Sequence, residues 1–158
     1  MNDTPAFVSR RILAMTGARP PAAARAFTVA AGAALIASGV VHAQLYLDGY
    51  RYLHAVGMLF LLQAAASFGF GPLLLAGALL RPPALIRLAA AGTALGALAG
   101  FAASRTTGVL GFIEHGLQPA PQALISIVTE CATVLALLAA GYLTVRHGKP
   151  ASRPPAAS

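Results

Sequence analysis

The sequence predicts an all-α, polytopic membrane protein: a bundle of four transmembrane helices in one domain. Three observations carry that prediction. The 158-residue chain is 58% hydrophobic and only 9% charged, far from a soluble composition. Four apolar stretches, about residues 26–45, 53–80, 84–104 and 122–145, are each long enough to cross a hydrocarbon core of roughly 30 Å. No stretch alternates apolar and polar residues with period two. Backbone amides in lipid must pair internally, so the spans are helices rather than barrel strands.

The elements follow in order. Residues 1–25 form a basic N-terminal segment, in which residues 6–15 suit a short amphipathic helix on the membrane surface, ended by Pro20-Pro21. Ser9-Arg10-Arg11 resembles the twin arginine of an export signal. A second polar stretch with Arg19 and Arg25 separates it from an apolar run longer than a signal core, so an uncleaved first span is expected. Spans one and two are joined by a short turn built on Asp48-Gly49, across which Asp48 and Arg51 are placed to pair. Span two carries Phe68-Gly69-Phe70-Gly71-Pro72 near its middle. The proline removes a helical hydrogen bond and predicts a bend; a discontinuous helix of transporter type is the sharper alternative.

Arg81-Pro82-Pro83 is so short that spans two and three must form an antiparallel hairpin. Span three places Gly92, Gly96 and Gly100 on one face, which permits close approach by another helix. Gly32, Ala33, Ala37 and Gly39 of span one are candidate partners in the same chain; a second copy or another membrane protein is the alternative. The third link, residues 105–121, is the longest. Its apolar patch at residues 109–113 suits the membrane interface, and Gln118-Pro119-Ala120-Pro121 leads into span four. The transmembrane domain thus covers residues 26–146, and residues 147–158, rich in Pro, Ala and Ser, are expected to be a disordered tail. The single cysteine, Cys131, permits no internal disulfide and reads as an apolar packing residue.

The formal charge of +7 invites a nucleic-acid reading, but its distribution opposes it. Nine of the eleven Lys and Arg residues flank one side of the four-span arrangement; only Arg51 and Arg105 fall on the other. This positive-inside bias predicts that both termini face the cytoplasm. The Ala, Gly, Arg and Pro content points to a high-GC bacterial genome and hence to the inner membrane. The basic excess also favours anionic lipid headgroups.

The polar residues are concentrated. Residues 42–54 hold His42 and His54, the tyrosines Tyr46, Tyr50 and Tyr52, and Asp48. The topology brings Glu114 and His115 of the third link to the same, outer side. The tyrosines read as an interfacial aromatic belt or as walls of a quinone or lipid-headgroup pocket. His42 and His54, at equal depth, are candidate axial ligands for a haem. His42, His54, Glu114 and His115 are a candidate metal set, although no local ligand spacing joins them. Glu130 is the one acid inside a span and therefore a functional candidate. Counting residues along the helices puts Gln63 at its depth, so the two are expected to hydrogen-bond, with Thr129, Thr133 or a carbonyl as other partners. A Gly-rich phosphate loop, a nucleophile elbow and zinc-protease or deaminase motifs are missing.

The runs His42-x-x-Leu45-Tyr46-x-x-Gly49-Tyr50-Arg51, Gly57-x-Leu59-Phe60-Leu61-Leu62-Gln63 and Gly111-Phe112-x-Glu114-x-Gly116-Leu117-Gln118-Pro119 resemble a pattern in uncharacterised small four-span membrane proteins of actinobacteria. The resemblance covers about residues 26–145 and implies a four-helix integral membrane protein without an activity. DoxX-like proteins share the four-span size, which implies a quinone-linked redox role; none of their residues can be carried over. The leading expectation is a non-enzymatic subunit or accessory factor that packs through Gly92, Gly96 and Gly100. A haem-, metal- or quinone-linked redox protein and a small proton-coupled transporter using Glu130 and Gln63 are the alternatives.

Overall fold

The computed structural model describes residues 20–80 and 84–148, apart from the side chain of His54. Four helices follow one another: α1 (Ala22–Asp48), α2 (His54–Leu80), α3 (Ala84–Arg105) and α4 (Gln122–Gly148). A 3-10 turn, Tyr50–Tyr52, lies between the first two. All four helices are long and apolar enough to cross a membrane. The chain is a multi-pass, all-α bundle, as its hydropathy predicts. The predicted surface helix at residues 6–15 and the Arg81-Pro82-Pro83 link lie outside the described residues.

The helices overrun the predicted spans for local reasons. α1 begins at Ala22, because Ala22, Ala23 and Ala24 are strong helix formers and Pro21 suits a helix start. The Pro21 carbonyl accepts from the Arg25 amide at 3.1 Å. Arg25 Nε donates to the Ala78 carbonyl at 3.1 Å, satisfying one of the orphan acceptors at the end of α2. α4 continues through His147 and Gly148, two residues into the predicted tail. At 27 residues, α1 and α4 are about 40 Å long, more than a straight crossing of the bilayer core needs.

α1 is the central element. Its buried positions, Ala24, Thr28, Ala31, Leu35, Ser38 and His42 among them, recur every three or four residues and form one stripe. That stripe packs against α2 and α4. Leu35 and Leu74 are fully buried at the centre with Ala31, Ala90, Ala136 and Leu137. α3 is held more loosely and buries only Ala90, Ala94 and Ser104. Large apolar side chains such as Leu79, Leu85, Leu88, Val128, Leu135 and Leu138 cover the outer faces, as a lipid-facing surface requires.

Small residues set the contact between α1 and α2. A Cβ on Gly32 would stand 2.9 Å from the Gly71 carbonyl oxygen, and one on Gly39 would stand 2.8 Å from Ser67 Cβ. The glycines of span one therefore serve span two, not span three. The expected pairing of Gly92, Gly96 and Gly100 with Gly32, Ala33, Ala37 and Gly39 is not formed: a Cβ on any of the three meets nothing within 4 Å among the described residues. Gly71, just before Pro72, lies where α1 and α2 come close, and α2 continues through Pro72 as one helix. The broken-helix alternative is therefore not adopted.

Candidate functional site

Glu130 is fully buried, 1% exposed, on the face of α4 that meets α1. Its Oε1 accepts from Ser126 Oγ at 2.8 Å, one turn earlier on α4, and from Ser38 Oγ at 3.1 Å on α1. His42 Nε2 stands 3.7 Å from the same oxygen. The other ring nitrogen, Nδ1, lies 2.9 Å from the Ser38 carbonyl. A carbonyl can only accept, so Nδ1 carries a proton and donates it. Both imidazole nitrogens thus face protein groups, and His42 is pinned between Ser38, Glu130 and the ring of Phe60, 5.4 Å away centroid to centroid.

A second polar cluster closes the end of the bundle that carries the Tyr50 turn. In the link between α3 and α4, Val109 and Phe112 exchange backbone hydrogen bonds around Leu110 and Gly111, both at positive φ. The Glu114 amide donates to the Ser104 carbonyl at 3.0 Å, tying the link to the last turn of α3. Arg105 then organises it. Its Nη1 meets Glu114 Oε2 at 3.1 Å and Ser104 Oγ at 2.5 Å, Nε donates to the Gly116 carbonyl at 3.0 Å, and Nη2 donates to the Gln118 carbonyl. The guanidinium also lies over Phe101, 4.0 Å from the ring centroid. Tyr50 donates to Glu114 Oε1 at 2.5 Å, stacks on Phe60 at 4.5 Å and meets Phe112 edge-on at 5.9 Å. Burial first, and then the Glu114 carboxylate, push the Tyr50 ionisation above its ordinary value.

Between the two clusters lies a cavity of about 520 Å³. α1 contributes His42 and Leu45; α2 contributes Val56, Phe60 and Gln63. The glycine face of α3 (Gly92, Gly96, Gly100) forms a wall, and Phe101, Arg105 and Glu114 line its Tyr50 end. Ser126 of α4 reaches it as well. A second hollow of about 500 Å³ between α3 and α4 is lined chiefly by Leu88, Leu95, Leu137 and Leu138. It has the character of a lipid-facing groove.

The sequence-predicted residues fall into place unevenly. His42 lines the cavity, but its acid partner is Glu130, not Glu114, which is taken by Arg105 and Tyr50. His115 is exposed in the link, and His54 opens α2 with its side chain outside the described set. Among the described residues no three His, Cys, Asp or Glu side chains are grouped to hold a metal. Gln63 does not bond Glu130. Its Nε2 is buried without a hydrogen-bond partner among the described residues, and the residue lines the cavity. Glu130 is met instead by Ser126 of its own helix and by Ser38 of α1. Thr129 and Thr133 bond back to carbonyls of their own helix. Arg51 donates to the Tyr52 hydroxyl at 2.8 Å instead of meeting Asp48. Ser38 and Ser126 were missed, although each sits four residues before the side chain it serves, His42 and Glu130.

Fold and site together define a class: a four-helix, multi-pass membrane protein with a cavity bounded by a buried His–Glu pair at one side and an Arg–Glu–Tyr cluster at one end. No family model, no curated protein and no solved structure matches the chain.

Proposed function

We propose that this chain is a non-enzymatic integral membrane protein that holds a lipid-soluble small molecule in the cavity between α2, α3 and the link that follows α3. The observation that carries the reading is the open glycine face of α3. A Cβ on Gly92, Gly96 or Gly100 would meet nothing within 4 Å among the described residues, and the three instead form one wall of the cavity of about 520 Å³. Ligand sites fall in the range of roughly 300–1,000 Å³, with mostly apolar walls and a few placed polar groups. In orientation, the cluster of Arg25, Arg87 and Arg146 at the terminal end supports termini in the cytoplasm of a bacterial cell, with the Tyr50 turn facing outward.

The test is extraction of small molecules from detergent-purified protein followed by mass spectrometry. Wild type is expected to carry a lipid-soluble compound in near-stoichiometric amount, and Gly96→Leu, which fills the cavity, to lose it. Equal content in the two proteins overturns the reading. The same open glycine face also supports a second reading, an accessory subunit whose partner contributes a helix there. In that case Gly96→Leu releases a protein partner in gentle purification and leaves the small-molecule content unchanged.

A further inference from the structure

We propose that the hollow between α3 and α4 binds one anionic phospholipid, with Arg87 on its phosphate and an acyl chain laid along the groove. This site is separate from the cavity that Gly92, Gly96 and Gly100 wall, and it does not depend on what that cavity holds.

The hollow of about 500 Å³ begins at the end of the bundle that carries the termini. Pro20 before α1, Ala84 at the start of α3 and Thr144 near the end of α4 all line it. From Arg87 to Leu95 one wall follows α3 for eight residues, about 12 Å at the helical rise. That length approaches half of a hydrocarbon core of roughly 30 Å, the reach of a lipid in one leaflet. Leu137, Leu138 and Gly141 of α4 form the facing wall. A Cβ on Gly141 would meet nothing within 4 Å among the described residues, so the wall is open there. Leu88 and Leu138 are 69% and 65% exposed, and they continue the groove into the lipid-facing surface.

Charge selects the headgroup. Arg87 lies one turn into α3, half-buried, and lines the hollow. The acids among the described residues are Asp48, Glu114 and Glu130. Asp48 and Glu114 belong to the Tyr50 end of the bundle. Glu130 lies fourteen residues before Thr144 on α4, about 21 Å along the helix, and it faces α1. The ion pairs among the described residues, His42–Glu130 and Arg105–Glu114, leave Arg87 without a carboxylate. A charge beside apolar walls needs a counter-charge. A guanidinium matches a phosphate with two parallel hydrogen bonds. Arg87 Nε is enclosed by the protein, so this contact is assigned to the two Nη groups. Thr144 spends its hydroxyl proton on the Ala140 carbonyl and offers a headgroup no donor. Basic residues between transmembrane helices, at the end where positive charge gathers, suit anionic headgroups. Charge also opposes the chain's own N-terminal segment as occupant. Residues 1–19 hold Arg10, Arg11 and Arg19 against one acid, Asp3.

The experiment is native mass spectrometry of purified, full-length protein. Four probes are compared: phosphatidylglycerol, phosphatidylcholine and diacylglycerol with the same acyl chains, and inorganic phosphate. Wild type is expected to bind one phosphatidylglycerol about fivefold more tightly than either other lipid, equivalent to about 1 kcal/mol. Inorganic phosphate should not bind. Arg87→Gln should abolish the preference and Arg87→Lys should keep part of it. Gly141→Leu, which fills the groove, should weaken phosphatidylglycerol binding. Arg146→Gln is the control, because Arg146 is exposed at the same end over the Tyr142 ring and does not line the hollow. It should leave the preference unchanged. Equal binding of phosphatidylglycerol and phosphatidylcholine, or a preference that survives Arg87→Gln, overturns the assignment. So does equal loss in Arg87→Gln and Arg146→Gln, the sign of general attraction to a basic surface. Inorganic phosphate that binds as tightly as phosphatidylglycerol, or a preference that survives Gly141→Leu, removes the acyl chain from the groove. A dimer that persists in Arg87→Gln and dissociates in Gly141→Leu gives the groove to a second copy and overturns the lipid reading.

Discussion

Glu130 accepts two hydroxyl protons through one oxygen, so its variants separate shape from hydrogen bonding. Glu130→Gln keeps an acceptor in reach of Ser38 and Ser126 and should melt close to wild type in detergent. Glu130→Ala removes the acceptor and should lower stability by about 1–3 kcal/mol, the cost of leaving buried hydroxyls unpaired. Thermal unfolding of the purified variants checks the pair. Tyr50 makes a second, pH-dependent prediction. Its hydroxyl is neutral when it donates to Glu114, and its ionisation is raised above the ordinary value of 10.0. The link's attachment is therefore fully present below pH about 10 and is lost as pH rises from there through the raised value. Amide exchange in the link following α3 should accelerate at alkaline pH in wild type, whereas Tyr50→Phe should exchange quickly at every pH. Residue types at this site were legible in advance: a lone acid in an apolar span marked Glu130, and His42 was marked by its place. Their partners were not. Sequence position gives the order along each span, while the pairing of Ser38 with Glu130, 92 residues apart, depends on how their two helices are rotated toward each other.

At the scale of the elements, two sets of glycines with the same appearance in sequence do opposite things. Gly39 sits against Ser67, where a Cβ would come within 2.8 Å, while the Cβ of a residue at Gly96 would meet nothing within 4 Å among the described residues. Gly39→Ala should therefore destabilise the bundle, by about 1–3 kcal/mol as overpacking does. Gly96→Ala should stabilise it by up to about 1 kcal/mol, because alanine is the better helix former and space is free. Unfolding of both variants in the same detergent tests the contrast, and a shared sign would contradict the packing described. The four-residue glycine spacing in α3 leaves room for close approach to that face. It carries no information about whether the approach is by a helix or a smaller molecule. The hairpin of α1 and α2, by contrast, was legible from its short turn; α2 runs on through Pro72, and Gly71 beside it lies close to α1.

The whole molecule follows from hydropathy and charge more directly than either smaller scale. Four apolar runs gave four helices, and only their ends moved, where alanines before Arg25 and the stretch after Val145 extended the helical backbone. The orientation proposed from the charge bias predicts which surfaces a membrane-impermeant reagent can reach. In a Cys131→Ser background, a cysteine at Leu110, which is 76% exposed, should be labelled in intact cells. A cysteine at Gly148 should react only after lysis. The reverse pattern would invert the topology.

The central position of α1 has a consequence for how the chain is made. α1 is synthesised before α4, yet the acid that meets its Ser38 and His42 belongs to α4. Until then those two side chains face lipid or the insertion machinery without their partner, while the glycine contact with α2 can already form. The contact of α1 with α2 is therefore local in the chain, whereas the polar seam of α1 is completed by α4. Without α4, the Ser38 hydroxyl and the His42 ring would lack the carboxylate they meet in the bundle.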